Sequence, residues 1–120
     1  MSYFKELKVY KLAFELCMEI FYVSQKFPSD EKFGLTSQIR RSSRSVCSNI
    51  AEGYRKRRYP DHFLCKLTDA DMENTETNVW IDIAFNCKYI DCEKAEKLVK
   101  MNEEIGKLLS FMISNPKKFS

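Results

Sequence analysis

The sequence predicts an all-α protein, an antiparallel up-down four-helix bundle that assembles as a homo-oligomer. Apolar residues recur in steps of three and four along four segments, and no segment alternates as a strand would. The joints between the segments are short, which forces consecutive helices to lie antiparallel. A chain of 120 residues has the length of one domain, which we expect to span residues 1–120.

The first two helical segments are separated by Pro28. The apolar stripe of the first segment consists of Val9, Ala13, Leu16, Ile20, Val23 and Phe27. After Pro28, Ser29 and Asp30 offer side-chain oxygens that can cap a new helix. The stripe of the second segment consists of Ile39, Val46, Ile50 and Tyr54, with the small residues Ser43 and Gly53 among them.

The last two segments have clear start signals. Pro60 suits a first helical turn, and Asp61 favours the positive end of the helix dipole. The third stripe consists of Phe63, Leu67, Ala70, Asn74, Thr77, Ile81 and Ala84. Asp91 can cap the fourth segment, and Asn115-Pro116 ends it. The fourth stripe consists of Ala95, Leu98, Asn102, Ile105, Leu109 and Met112.

Basic residues are concentrated between residues 40 and 58. This stretch contains one acidic residue, Glu52, and seven basic residues, namely Arg40, Arg41, Arg44, Arg55, Lys56, Arg57 and Arg58. The first four fall within an arc of about 100° on a helix, with Ser37 and Ser48 between them. Cations and hydroxyls on one face are what phosphate binding requires. The alternatives are a solvated face that pairs with acids of the next helix, and a surface for an acidic protein.

Acidic residues dominate the following stretch, where six stand against Lys66: Asp61, Asp69, Asp71, Glu73, Glu76 and Asp82. We expect some of them to tie the third helix to the second, either within one protomer or across an interface between protomers. Glu76 is predicted to be a buried carboxylate, because it lies among Asn74 and Thr77. A buried carboxylate needs a partner. The candidate partners are Arg40, Arg41 and Arg44, and Asn49 is expected to add hydrogen bonds.

Aromatic residues on the first helix lie off its main stripe, at Tyr10, Phe14, Phe21 and Tyr22. A small bundle has one core, so a second apolar face indicates oligomerisation. A broad core face is the alternative.

Several classes of function lack support in the sequence. His62 and Cys65 provide two metal ligands, whereas structural zinc needs four. A di-iron site needs a Glu-x-x-His motif on each of two helices, and the sequence contains no such motif. Because His62 is the only histidine, we expect no metal, no cofactor and no enzymatic activity. The beginning of the chain does not resemble a secretory signal, and no segment is apolar enough to span a membrane. The five cysteines are expected to be reduced and mostly buried in a cytoplasmic protein.

A resemblance to a known family rests on several blocks of the second segment and its joint. These are Phe27-Pro28, Glu31, Phe33-Gly34-Leu35, Gln38-Ile39-Arg40-Arg41-Ser42 and Asn49-Ile50-Ala51-Glu52-Gly53. They resemble the signature of bacterial four-helix-bundle proteins encoded in intervening sequences of large-subunit ribosomal RNA genes. The same family includes the accessory variability determinant of diversity-generating retroelements. The resemblance extends over nearly the whole chain, back to Val9-Tyr10-Lys11-Leu12-Ala13 and forward to Phe63-Leu64, Glu76-Thr77, Trp80 and Tyr89-Ile90.

The resemblance implies a homopentameric barrel of four-helix protomers. For the retroelement branch it also implies binding to nucleic acid and to a reverse transcriptase. Lys88 is a departure, since it replaces the usual glycine at a left-handed helix end. The joint from Arg55 to Pro60 also differs. The resulting hypothesis is a non-enzymatic nucleic-acid-binding accessory protein. The alternative is a scaffold that docks a protein such as a reverse transcriptase without binding nucleic acid.

Overall fold

The computed structural model describes residues 4–119, and its helices follow the predicted segments. Helix α1 spans Lys8–Ser24, α2 spans Leu35–Arg55, α3 spans Pro60–Asn86 and α4 spans Cys92–Ser114. Short 3-10 turns occupy Phe4–Glu6, Ser29–Glu31 and Pro116–Lys118. No strand occurs in residues 4–119, and no helix there is both long and apolar enough to cross a membrane.

The four helices form an antiparallel bundle in which each helix contacts its two neighbours. Helices α1 and α3 both pack against α2 and α4, whereas within residues 4–119 no contacts join α1 to α3 or α2 to α4. Helices α1 and α3 therefore occupy opposite corners of the bundle. The outer sides of these two helices therefore face in opposite directions.

Every residue of the predicted stripes of α3 and α4 is buried, which confirms the helical periodicity of 3.6 residues predicted for both segments. The stripes of α1 and α2 are buried except at their C-terminal ends, where Val23 and Tyr54 are half-buried. Ser43 and Gly53 are buried as well. At Gly53 an added Cβ would come within 2.9 Å of the Cβ of Lys66, so this glycine permits the close approach of α3.

The ends of the helices confirm three predictions and correct one. Pro60 opens α3, and the Asp91 carboxylate accepts a hydrogen bond of 2.7 Å from the Lys94 amide at the start of α4. Lys88 has a φ of 65° and ends α3 with an i−5 hydrogen bond from the Tyr89 amide to the Ala84 carbonyl. Neither Ser29 nor Asp30 caps α2, because the chain makes a 3-10 turn there and α2 starts only at Leu35.

The cysteines are free but less buried than expected. Cys47 is buried and Cys17 half-buried, whereas Cys65, Cys87 and Cys92 are exposed. Cys17 and Cys47 meet between α1 and α2. The hydrogen bond from the Cys47 thiol lowers the pKa of Cys17, and the charge of Arg44 acts in the same direction. The same hydrogen bond, together with burial, raises the pKa of Cys47.

A layer of polar side chains crosses the interior between α2, α3 and α4. The Thr77 hydroxyl donates a hydrogen bond of 2.8 Å to the Ser42 hydroxyl, and both residues are fully buried. On the other side of α3, the Asn74 amide group donates to the Asn102 carbonyl at 3.0 Å, and the Asn102 amide group donates to the Asn74 carbonyl at 2.8 Å. The predicted polar layer therefore exists, but Glu76 is not part of it.

Candidate nucleic-acid interface

The outer side of α2 forms a shallow groove of about 650 Å³ that begins in the preceding turn. Its lining consists of cations, hydroxyls and one aromatic ring, namely Lys32, Phe33, Thr36, Ser37, Arg40, Arg41, Arg44, Ser45 and Ser48. Arginine, lysine and hydroxyl groups are the side chains that most often contact nucleic-acid phosphates. The groove therefore brings together the first three predicted binding residues.

Arg40 is held in place by α1. Its Nε donates a hydrogen bond of 2.8 Å to the Ser24 hydroxyl, and its guanidinium lies 5.0 Å from the centroid of the Phe21 ring. Neither partner carries a negative charge, so these two contacts restrict the orientation of Arg40 without offsetting its positive charge. This fixed cation loses little side-chain entropy when it binds an anion.

Arg41 pairs with α3 and corrects the prediction for Glu76. Its Nη1 donates to the Glu73 carboxylate at 2.7 Å, and its Nη2 donates to the Glu76 carboxylate. The Glu76 side chain is 36% exposed, so it lies at the surface rather than in the core. Asn49 bonds to Ser45 instead. With this exposure, the Arg41–Glu76 pair contributes about 1 kcal/mol or less, and two carboxylates neutralise Arg41.

Arg44 lies one turn further along the same side of α2. It is exposed, and it makes no hydrogen bond or ion pair with any residue in the range 4–119. Lys32, at the other end of the groove, is also exposed, and its ammonium lies 5.5 Å from the centroid of the Phe33 ring. Lys32, Arg40 and Arg44 are thus the groove cations that no carboxylate of residues 4–119 neutralises.

The other four predicted cations form a separate cluster in the turn between α2 and α3. Arg55 follows Arg44 by eleven residues, which at about 1.5 Å per residue places it roughly 16 Å further along the helix. Lys56 lies over the Tyr59 ring at 5.5 Å, and Arg57 lies over the Tyr54 ring at 4.3 Å. Arg55 and Arg58 are exposed, with no hydrogen bond or ion pair in the described chain. The cations that the sequence predicts as one cluster therefore form two clusters, one in the groove and one in the turn between α2 and α3.

Comparison with known proteins identifies the family. A family model described as 23S rRNA-intervening sequence protein matches residues 5–111. The chain belongs to this family. It is 29% identical to a solved protein of unknown function from the S23 ribosomal protein family of Bacteroides thetaiotaomicron, with a TM-score of 0.82. That match covers 89% of this chain and 96% of the other. The search of curated proteins found no match.

In this family member the groove contains Lys32 and Phe33, which the predicted site does not include. Phe33 belongs to the signature that carries the family resemblance, and the sequence pattern assigns its side chain no binding role. In the structure it is 88% exposed. The position of Phe33 in the sequence is the signal that could have indicated a binding role. It lies beside a lysine in a joint between helices, where it belongs to no apolar stripe that would bury it.

Glu31 organises the turn that carries these two residues. Its carboxylate accepts a hydrogen bond of 3.1 Å from the Leu35 amide at the start of α2 and one of 2.8 Å from the Tyr89 hydroxyl. The Leu35 bond, followed by the Tyr89 bond, holds the pKa of Glu31 below its usual range. The bond to Glu31 also raises the pKa of Tyr89 to about 12. Glu31 thus takes the capping role predicted for Ser29 and Asp30.

The Glu31 cap predicts a specific pH dependence for the variant Glu31→Gln. A carboxyl whose pKa is lower in the folded protein stabilises the fold above its unfolded pKa of about 4.3, and this contribution is lost as the pH falls through the folded value. The wild type should therefore be more stable than Glu31→Gln at about pH 6, and the difference should shrink as the pH falls towards about 3. Urea unfolding at both pH values measures it.

The matched control for this prediction is Glu103→Gln, since Glu103 is exposed on α4 and makes no hydrogen bond or ion pair with residues 4–119. Its stability relative to the wild type should be the same at both pH values. A difference for Glu31→Gln that is as large at about pH 3 as at about pH 6 would contradict the assignment of the charged carboxylate as the cap.

Within residues 4–119, no three histidine, cysteine, aspartate or glutamate side chains lie close enough together to hold a metal ion. His62 lies against the Tyr59 ring, with 6.3 Å between the ring centroids. The described residues thus give the imidazole no acid–base partner. The candidate binding surfaces are the groove and the cluster of Arg55, Lys56, Arg57 and Arg58, which we call the basic turn.

Proposed function

We propose that this protein is a non-enzymatic, homo-oligomeric accessory protein of the cytoplasm that binds nucleic acid through the outer side of α2. The observation that carries the proposal is the set of groove cations without carboxylate partners, Lys32, Arg40 and Arg44. They share the groove with hydroxyl groups, which donate hydrogen bonds to phosphate oxygens. A family named after a ribosomal RNA intervening sequence fits this chemistry.

The energetic consequence is a binding reaction dominated by phosphate contacts. Each neutralised phosphate releases a condensed counterion, so affinity falls with salt in proportion to the number of contacts. Three contacts per protomer correspond to a loss of roughly 20- to 40-fold between about 50 and 200 mM salt. Arg55 and Arg58 in the basic turn extend the charged surface for longer strands.

The proposed oligomer is supported by two apolar faces. On α1, Phe14 and Tyr22 are 49% and 59% exposed. The outer side of α3 carries a second face within an arc of about 100°, made of Leu64, Met72, Val79 and Ile83. Because α1 and α3 occupy opposite corners, the two faces point away from each other. Two different faces on opposite sides favour a head-to-tail contact, which closes into a ring when the rotation between protomers permits.

Such a ring would place α2 of every protomer on the same side, since α2 lies between the corners that make the contacts. The grooves would then form one cationic surface with several equivalent sites. A strand that spans more than one site gains avidity without any new contact. A ring of five chains is the number that the family resemblance implies.

The test removes charge from the groove and measures binding. In Lys32→Gln/Arg44→Gln, both residues are exposed, so the fold should be retained. We expect affinity for RNA and DNA of any sequence to fall by at least tenfold at about 50 mM salt. The number of counterions released on binding, obtained from the slope of log affinity against log salt, should fall by about two. Fluorescence anisotropy at about 50 and 200 mM salt gives both quantities. Arg55→Gln/Arg58→Gln should weaken the binding of long strands more than that of short ones.

The control variant is Lys100→Gln/Lys107→Gln, which removes the same charge from exposed positions on α4. Helix α4 does not contact α2, so binding should be unchanged. If the wild type fails to bind nucleic acid at about 50 mM salt, or if the groove and control variants weaken binding equally, the proposal is wrong. The scaffold for a protein such as a reverse transcriptase would then take its place.

A further inference from the structure

The most exposed large hydrophobic side chain among residues 4–119 is Phe33, at 88% exposure. It stands in the turn before α2, at the head of the cationic groove, where Lys32, Arg40 and Arg44 share the lining. Neither of the two apolar faces includes it, since those lie on α1 and α3. An exposed phenyl ring surrounded by cations and hydroxyls has no role in the core of this chain.

The backbone beneath Phe33 is fixed. The Gly34 amide donates a hydrogen bond of 2.9 Å to the Glu31 carbonyl, and the Leu35 amide donates to the Glu31 carboxylate. The hydroxyl of Tyr89, in the joint between α3 and α4, donates a hydrogen bond to that carboxylate. At Gly34 an added Cβ would come within 2.8 Å of the Glu31 carboxylate oxygen, so a larger residue there would push this carboxylate aside. The ring is thus presented to solvent by a rigid turn.

We propose that the groove binds single-stranded nucleic acid, with one unpaired base stacked on the Phe33 ring and the adjoining phosphates on Lys32, Arg40 and Arg44. This inference rests on the proposed function and specifies its ligand. A ring beside a track of cations is the combination by which single strands are bound without sequence readout. Bases inside a duplex are already stacked on each other, so only a single strand can offer one to Phe33.

The experiment compares strands with and without bases. Labelled oligo(U), oligo(dT), an abasic strand of the same length and a duplex of that length are titrated with the full protein. The wild type should prefer the base-containing strands over the abasic strand. In Phe33→Leu, which keeps apolar bulk but lacks a planar ring, this preference should fall by roughly fivefold to a hundredfold. Affinity for the abasic strand and the duplex should stay unchanged, and Phe33→Trp should retain the preference.

Two controls separate stacking from other effects. Phe111→Leu alters an exposed ring that also lies near a lysine, with Lys118 at 5.2 Å, but on α4. It should leave the preference intact. Arg44→Gln should weaken binding to all strands alike and reduce the salt dependence, since it removes only a phosphate contact.

The outcomes distinguish this inference from the proposed function. If Phe33→Leu keeps the wild-type preference for bases while Arg44→Gln weakens binding, the stacking inference is wrong and the proposed function stands. If the wild type binds none of the strands, both are wrong. A smaller oligomer for Phe33→Leu in light scattering would assign Phe33 to a contact between chains, which also overturns the inference.

Discussion

Replacing Asn102 with leucine should lower the free energy of unfolding by about 2–4 kcal/mol. Asn102 is 4% exposed, and its Nδ2 donates to the Asn74 carbonyl and side-chain oxygens at 2.8 and 3.0 Å. Its Oδ1 accepts a bond of 2.9 Å from Asn78. Leucine has a similar volume but leaves these groups without partners, and each unsatisfied buried group costs about 1–3 kcal/mol. Urea unfolding followed by circular dichroism measures the loss.

A double-mutant cycle shows whether the loss comes from unpaired amides. Asn74→Leu/Asn102→Leu removes both members of the reciprocal pair, so its cost should fall short of the summed single costs by about 1 kcal/mol or more. The control Asn86→Leu alters an exposed amide that bonds only within α3, and it should change stability by less than about 0.5 kcal/mol. Additive costs for Asn74 and Asn102 would contradict a coupled polar layer.

Introducing a charge into either apolar face should abolish assembly. Phe14→Glu on α1 and Val79→Glu on α3 each place a carboxylate where the proposed contact excludes water, and an unpaired buried charge costs several kcal/mol. Both variants should behave as 14.2 kDa monomers in light scattering, whereas the wild type should be a ring. Phe111→Glu on α4 is the control with similar exposure, and it should leave the assembly intact.

Mixing the two variants tests whether the contact is head-to-tail. A Phe14→Glu chain keeps an intact α3 face, and a Val79→Glu chain keeps an intact α1 face. Their mixture should therefore form a heterodimer through one restored contact, although neither variant associates alone. A mixture that stays monomeric would contradict a contact between these two faces, and a monomeric wild type at micromolar concentration would contradict assembly altogether.

Local features of the chain were readable without coordinates. The stripes from Phe63 to Ala84 and from Ala95 to Met112 are buried as predicted, because the 3.6-residue period of a helix places such residues on one face. Pro60, Lys88 and Asp91 mark helix ends through backbone geometry and nearby hydrogen bonds, which involve only a few consecutive residues. The signature around α2 likewise led to the family, since a motif is a property of the residue order.

Relations between helices required the folded chain. Periodicity assigns a residue to a face but does not say which helix that face meets. Three arginines were equivalent partners for Glu76, and the packing of α2 on α3 selects Arg41 and leaves the pair at the surface, where water solvates both charges. The same packing buries the hydroxyls of Ser42 and Thr77, which are small enough to satisfy each other in the interior.

The candidate site shows the same division between local and long-range information. The spacing of the cations predicts the site, yet α1 and α3 determine which of them have an acidic partner. Arg40 bonds to the uncharged hydroxyl of Ser24 on α1, whereas Arg41 pairs with the Glu73 carboxylate on α3. The turn that carries Phe33 is held by a hydrogen bond between Glu31 and Tyr89, which are 58 residues apart in the chain. Contacts between distant residues depend on how the helices are arranged in space, and no periodicity along the chain encodes them.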